Sequence, residues 1–150
     1  MHLIWANLVP NLIRLWTGEF KDLDHTDQGY LIKKKVWETL CTAAAESGSY
    51  VPSAFGAQVP NFAEKNVQKT CEMHSIWTLY FAPSVLRRHF KEEKYYRHFV
   101  SLIKLLNHCL EFEITHAQID ELETGFQNWV KEYEKYVKIF IAIEFSLIIY

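Results

Sequence analysis

The chain is 150 residues long, with 49% hydrophobic and 15% aromatic residues and a formal net charge of −2. Such content excludes a disordered chain, and a domain of this size buries about 70% of its unfolded surface. The near-neutral charge excludes bulk attraction to nucleic acid or to an acidic membrane.

The apolar pattern starts at once. Leu3, Ile4, Leu8, Leu12, Leu15 and Trp16 recur at three- and four-residue steps, which predicts a helix. No Ser, Thr, Asp or Asn precedes it as a cap. Pro10 falls inside and is expected to kink or restart it. Gly18 is the expected C-terminal cap. The stretch "EFKDLDHTDQGY" reads as a loop. "IKKKVWETLCTAAAES" reads as a second helix stopped by Gly48.

Residues 49 to 69 hold two Pro and one Gly. They predict a long ordered loop, with Val51, Phe55 and Phe62 laid against the body. A third helix is expected from Cys71 to Phe90, bent at Pro83. Its heavy positions are Trp77, Leu79, Tyr80, Phe81, Val85 and Leu86. A fourth is expected from Glu92 to Leu110, with Phe99, Leu102, Ile103, Leu106 and Leu110 inward. The fifth has the clearest start, because Thr115 followed by Gln118 three residues on is a capping box. Ile119, Leu122, Phe126, Trp129, Tyr133 and Val137 follow at helical steps. No window alternates as a strand does. The predicted class is all-α, an irregular bundle of about five helices with one long ordered loop.

Cys41, Cys71 and Cys109 are three thiols at wide spacing, which predicts no disulfide framework and a reducing, intracellular compartment. Met1 is followed by no basic segment and no cleavage site, so no signal peptide is expected. No stretch has the roughly 20 apolar residues of a membrane span. Cys71 and His74 are spaced Cys-x-x-His, and His108 adjoins Cys109. Zinc needs two close ligand pairs. Adjacent helical residues point about 100° apart, so the second pair fails. A buried thiol and surface histidines are expected, with no cofactor. No nucleophile elbow is present, and no small-molecule substrate is implied.

Charge is distributed unevenly. Leu86 to Lys104 carries six Lys or Arg against two Glu, with Tyr95 and Tyr96 interleaved. Glu111 to Glu134 carries seven acids against one Lys. Basic residues among aromatics suit a phosphate backbone, which makes Arg87, Arg88, Lys91, Lys94 and Arg97 the DNA-binding candidates. The alternative is that they solvate a helix junction and pair with the acidic helix. Glu111, Glu113, Asp120, Glu121 and Glu123 cluster in sequence, as the dipole of a helix N-terminus favours.

Four stretches together resemble one family: "MHLIWANLVPNLIRLWTGEFKDLD", "VPSAFGAQVPN", "IWTLYFAPSVLRRHFKEEKYYRHFVSLIKLLNHCLEFEIT" and "IDELETGFQNWVKEYEKYV". They are similar to transposases of fungal DNA transposons of the CACTA and Kyakuja-Dileera-Zisupton type, across residues 1 to 137. In that family an Asp stands two places before the Met-His, at the end of a strand of an RNase H-like core, as a metal-binding catalytic acid. His2, Trp5, Asn7, Val9 and Pro10 fit the pattern; Ala6 stands where Glu is common, and the Asp is absent. The resemblance implies a helical insertion of a transposase, cut at both ends, with nuclear localisation. The magnesium-type divalent metal belongs to full-length relatives only. The expectation is a non-catalytic fragment. His2 alone carries over near the catalytic motif. Residues 138 to 150 depart from the family as an apolar tail, which reads as foreign sequence from an intron or frameshift and as a surface for self-association. The rival reading is a helical protein-interaction module without a DNA role, using the 49–69 loop and the tail.

Overall fold

The computed structural model describes residues 2–20, 28–50, 52 and 56–136. Among them there are five continuous helical stretches and no strand. The first is a π-helical segment, π1 (Ile4–Leu8), that runs into α1 (Val9–Thr17). α2 spans Lys34–Gly48. The third runs unbroken through α3 (Cys71–Ile76), π2 (Trp77–Phe81) and α4 (Ala82–Val85). α5 (Glu93–Cys109) and α6 (His116–Tyr136) complete the order. Residues 137 to 150, with the apolar tail and Val137, lie outside the described residues, as do Val51 and Phe55.

Both internal prolines are handled alike. A proline ring inside a helix collides with the carbonyl four residues back and cannot donate to it. Here a wider turn stands just ahead of each. The last amide before Pro10 reaches back five residues, from Val9 to the Ile4 carbonyl. The last amide before Pro83 does the same, from Ala82 to the Trp77 carbonyl. Each proline then occupies the first turn of the following α segment. Pro10 therefore neither breaks nor restarts its helix.

Contacts divide the chain into two units, Met1–Tyr96 and Arg97–Tyr150, with the division inside α5. In the first unit π1 and α1 bury Trp5, Leu8, Val9, Leu12, Leu15 and Trp16. Trp5 and Val9 complete the expected stripe, while Leu3 is exposed. Gly18 caps α1 in the left-handed region at φ 71°, its N–H donating to the Arg14 and Leu15 carbonyls. α2 buries Trp37, Cys41, Ala44 and Gly48. The helix ends at Gly48, as the sequence predicts, and Gly48 packs beside Val59.

Trp77 is the centre of this core, 1% exposed. Phe62 stacks on it at 5.0 Å and Trp37 meets it edge-on at 5.8 Å. Phe62 and Val59 are both buried, so the described part of the long loop lies against the body. Its anchors are polar: Asn61 Nδ2 donates to Thr42 Oγ1, and the Ala57 N–H to Glu72 Oε1.

The third helix ends at Val85, short of Phe90. Arg88 turns left-handed at φ 66°, which no helix continues through. Tyr80, expected to be a heavy core position, is exposed.

In the second unit α5 buries Phe99, Leu102, Ile103 and Leu106. Leu110 is exposed, because the helix stops at Cys109 and the residue leaves the buried stripe. The capping box forms as the sequence predicts. The Thr115 N–H donates to Gln118 Oε1 at 2.8 Å, and the Gln118 N–H to Thr115 Oγ1 at 3.3 Å. α6 is held by its far half. Trp129 and Tyr133 are buried, Leu122 and Phe126 are half-buried, and Ile119 is exposed. Gly125 makes room for the Leu105 side chain, since a Cβ there would stand 2.5 Å from Leu105 Cδ2. No helix of the described residues is long and apolar enough to cross a membrane.

Candidate nucleic-acid interface

The basic candidates group around the turn from Leu86 to Glu92. Leu86 is fully buried and Phe90 nearly so. The Leu86 N–H donates to the Ala82 carbonyl at 2.9 Å, and Phe90 meets Trp16 edge-on at 5.4 Å. Two apolar anchors four residues apart thus fix the ends of the turn. The three residues between them, Arg87, Arg88 and His89, are exposed. The His89 N–H closes the turn onto the Leu86 carbonyl at 3.2 Å.

The entry to α5 is pinned as firmly. The Glu92 N–H donates to the Gly29 carbonyl at 3.3 Å. A side chain at Gly29 would collide with the Glu92 carboxylate and the Tyr95 ring. Tyr95 packs edge-on against Tyr30 at 5.7 Å. Tyr96 Oη donates to the Pro83 carbonyl at 2.7 Å. The interleaved tyrosines therefore fasten the helix.

Lys91 and Lys94 are exposed on the same stretch. Lys94 Nζ lies 2.6 Å from Glu92 Oε2 and 4.9 Å from the centre of the Tyr95 ring. The Glu92 hydrogen bond is the main cause holding its ammonium protonated above the usual lysine range. Lys94 thus pairs with an acid two residues before it in the chain. Arg97 is also exposed, one helical turn beyond Lys94 on α5, and belongs to the second unit. The structure places Arg87, Arg88 and Lys91 on one anchored turn and Lys94 in the first turn of α5, and places His2 elsewhere, with its Nδ1 3.6 Å from Cys71 Sγ.

His108 is exposed, as expected, and His74 departs from expectation. His74 is buried, not a surface residue. Its ring packs edge-on to Phe62 at 5.1 Å, and its Nδ1 donates to the Thr70 carbonyl at 2.9 Å. A histidine so placed belongs to the core, and Cys71 beside it in sequence faces His2 instead. His108 Nδ1 stands 3.1 Å from Glu111 Oε1. Among the described residues no three of His, Cys, Asp and Glu converge as a metal-holding group.

His98 was not singled out by the sequence, yet it makes the most reciprocal contact of the second unit. Its ring stacks on Trp129 at 4.4 Å. His98 Nε2 donates to the Trp129 carbonyl at 2.9 Å, and Trp129 Nε1 donates to the His98 carbonyl at 2.9 Å. A carbonyl only accepts, so Nε2 carries the proton in this pair. Residues 31 apart must meet for this contact, and no local spacing announces it.

Burial lowers the pKa of both His74 and His98 below the ordinary histidine value. The backbone bonds to Thr70 and Trp129 oppose the shift. Lys69 adds to it at His74, and Glu132 opposes it at His98. Both rings are therefore neutral in the fold and bind more protons when unfolded. Stability is then complete above the unfolded value near 6.5 and falls as pH drops from there through the lowered folded values. Urea midpoints at pH 7.5 and 5.5 are expected to show this loss. A His74→Gln, His98→Gln double variant is expected to flatten it; an unchanged pH dependence would refute the assignment.

No family model, curated protein or solved structure matches the chain. The functional reading rests on the residues themselves.

Proposed function

We propose that the chain is a non-catalytic helical piece of a DNA-transposon transposase, whose part is to scaffold and to touch duplex DNA through the Arg87–Lys91 turn. The observation that carries the DNA contact is the anchored turn. Arg87, Arg88 and Lys91 project from a backbone fixed by buried Leu86 and Phe90. Cations held on a rigid turn lose less freedom on meeting a phosphate backbone than cations on a loose loop. The family name is supported by the four sequence stretches alone, and nuclear localisation follows only from that name.

Duplex DNA binding followed by fluorescence anisotropy over a salt series tests the contact. Each phosphate neutralised contributes about 0.9 to the slope of log K against log salt. The Arg87→Ala, Arg88→Ala double variant is expected to bind several-fold more weakly at low salt, with the slope reduced by about 1.8. Equal affinity and slope in parent and variant would leave the turn as a structural feature only.

A second reading, a protein-interaction module, is favoured by one observation. Leu110, Phe112, Ile114 and Ile119 are all exposed within ten residues, and Phe112 is fully so. A chain that binds no DNA at any salt supports this reading over the first.

A further inference from the structure

The three thiols stand in three different settings. Cys41 is 1% exposed and takes backbone hydrogen bonds from the Phe62–Ala63 segment. Burial pushes its pKa up to about 12. Such a thiol is chemically quiet, since the thiolate is the nucleophile. Cys109 closes α5 and is exposed, and partial desolvation raises its pKa as well. His108, which precedes Cys109 in the chain, turns its Nδ1 to Glu111 Oε1 at 3.1 Å.

Cys71 differs in its partner. It is half-buried at the first residue of α3, where α3 packs against π1. His2 Nδ1 lies 3.6 Å from its Sγ, within reach of a thiol hydrogen bond. His2 itself is exposed, so the pair opens to solvent. With the ring proton on Nε2, Nδ1 is the acceptor toward the thiol. Cys and His are 69 residues apart in sequence, so only the fold makes the pair.

We propose that Cys71 is a redox-modification site, activated by His2, that forms a mixed disulfide with a small disulfide of the glutathione class. The thiol proton passes from Sγ to His2 Nδ1. The Sγ electron pair attacks one sulfur of the incoming disulfide. A new S–S bond forms to Cys71 as the old one breaks, and the departing thiolate takes the proton back from His2. One thiol and one disulfide become one mixed disulfide and one free thiol. The adduct would sit at the seam between the two proline-containing helices, where α3 meets π1.

The test treats the full chain with glutathione disulfide and follows each cysteine by peptide mass mapping. Cys71 is expected to react first, Cys109 more slowly and Cys41 not at all. A His2→Ala variant is expected to slow Cys71 about a hundredfold, the low end for loss of a positioned proton acceptor. The Cys109 rate and the protection of Cys41 report whether the fold is intact in the variant. Free imidazole added to His2→Ala is expected to restore part of the lost rate, which a merely structural histidine would not allow. Faster reaction at Cys109 than at Cys71 in the parent chain would overturn the proposal. So would an unchanged Cys71 rate in His2→Ala, or a slowed rate that imidazole does not restore.

Discussion

Trp77→Ala is expected to cost the first unit about 3–5 kcal/mol, the range for removing a large aromatic from a packed core. Urea unfolding followed by far-UV circular dichroism measures it. Trp77 is 1% exposed and lies between Phe62 and Trp37. Three elements far apart in sequence, α2, the long loop and π2, meet on this one ring. Its indole Nε1 is buried without a hydrogen-bond partner among the described residues. The cost therefore comes from lost contacts and the cavity, not from a broken hydrogen bond. Trp77→Phe, which keeps most of the stacking and deletes the orphan donor, should cost well under half as much. A cost below about 1 kcal/mol for Trp77→Ala would show that this ring does not organise the core.

Trp129→Ala should have a comparable effect on the second unit, again about 3–5 kcal/mol. Trp129 stacks on His98 at 4.4 Å and on Tyr133 at 5.3 Å. It also donates to the His98 carbonyl. Trp129 and Tyr133 are buried, and most of the other described side chains of this 21-residue helix are open to solvent. Losing Trp129 should therefore strip hydrogen-exchange protection from α6 amides. Trp129→Phe separates the two contributions. It keeps an aromatic face toward His98 but loses the Nε1 donor, and should cost about 1–2 kcal/mol. Full α6 protection in Trp129→Ala would show that other contacts hold the helix.

The class and the number of helical stretches were legible in the sequence, because long apolar stripes at three- and four-residue steps have no other use. The capping box at Thr115 was legible for the same reason: its two bonds are local and its residue types are specific. Gly18 was legible as a cap, since few other residues take its left-handed backbone. What failed was whatever depends on distant partners. The third helix was read through to Phe90, because Arg88 is an ordinary helix former and its left-handed turn is set by the buried anchors on either side. His74 was read as a surface residue, because nothing nearby in sequence tells of Phe62. For the candidate interface, sequence alone grouped the five cations. It did not show that Lys94 is bonded to Glu92, or that the tyrosines are fasteners. The His2–Cys71 and His98–Trp129 pairs had no sequence signal, since each depends on chain closure over tens of residues.

The paired wide turns ahead of Pro10 and Pro83 bear on how this chain should be compared with others. A π turn holds one residue more than an α turn between the same two ladder rungs. A homologue with plain α-helices at both places would match this chain only if one residue were left unaligned near 4–8 and another near 77–81. An alignment that forbids such single gaps would slide half of each helix onto the wrong face. It would score Trp5 and Trp77 against solvent positions, although both are core residues here. Structure-guided gaps at these two turns are the natural register marks for tracing the lineage of the chain.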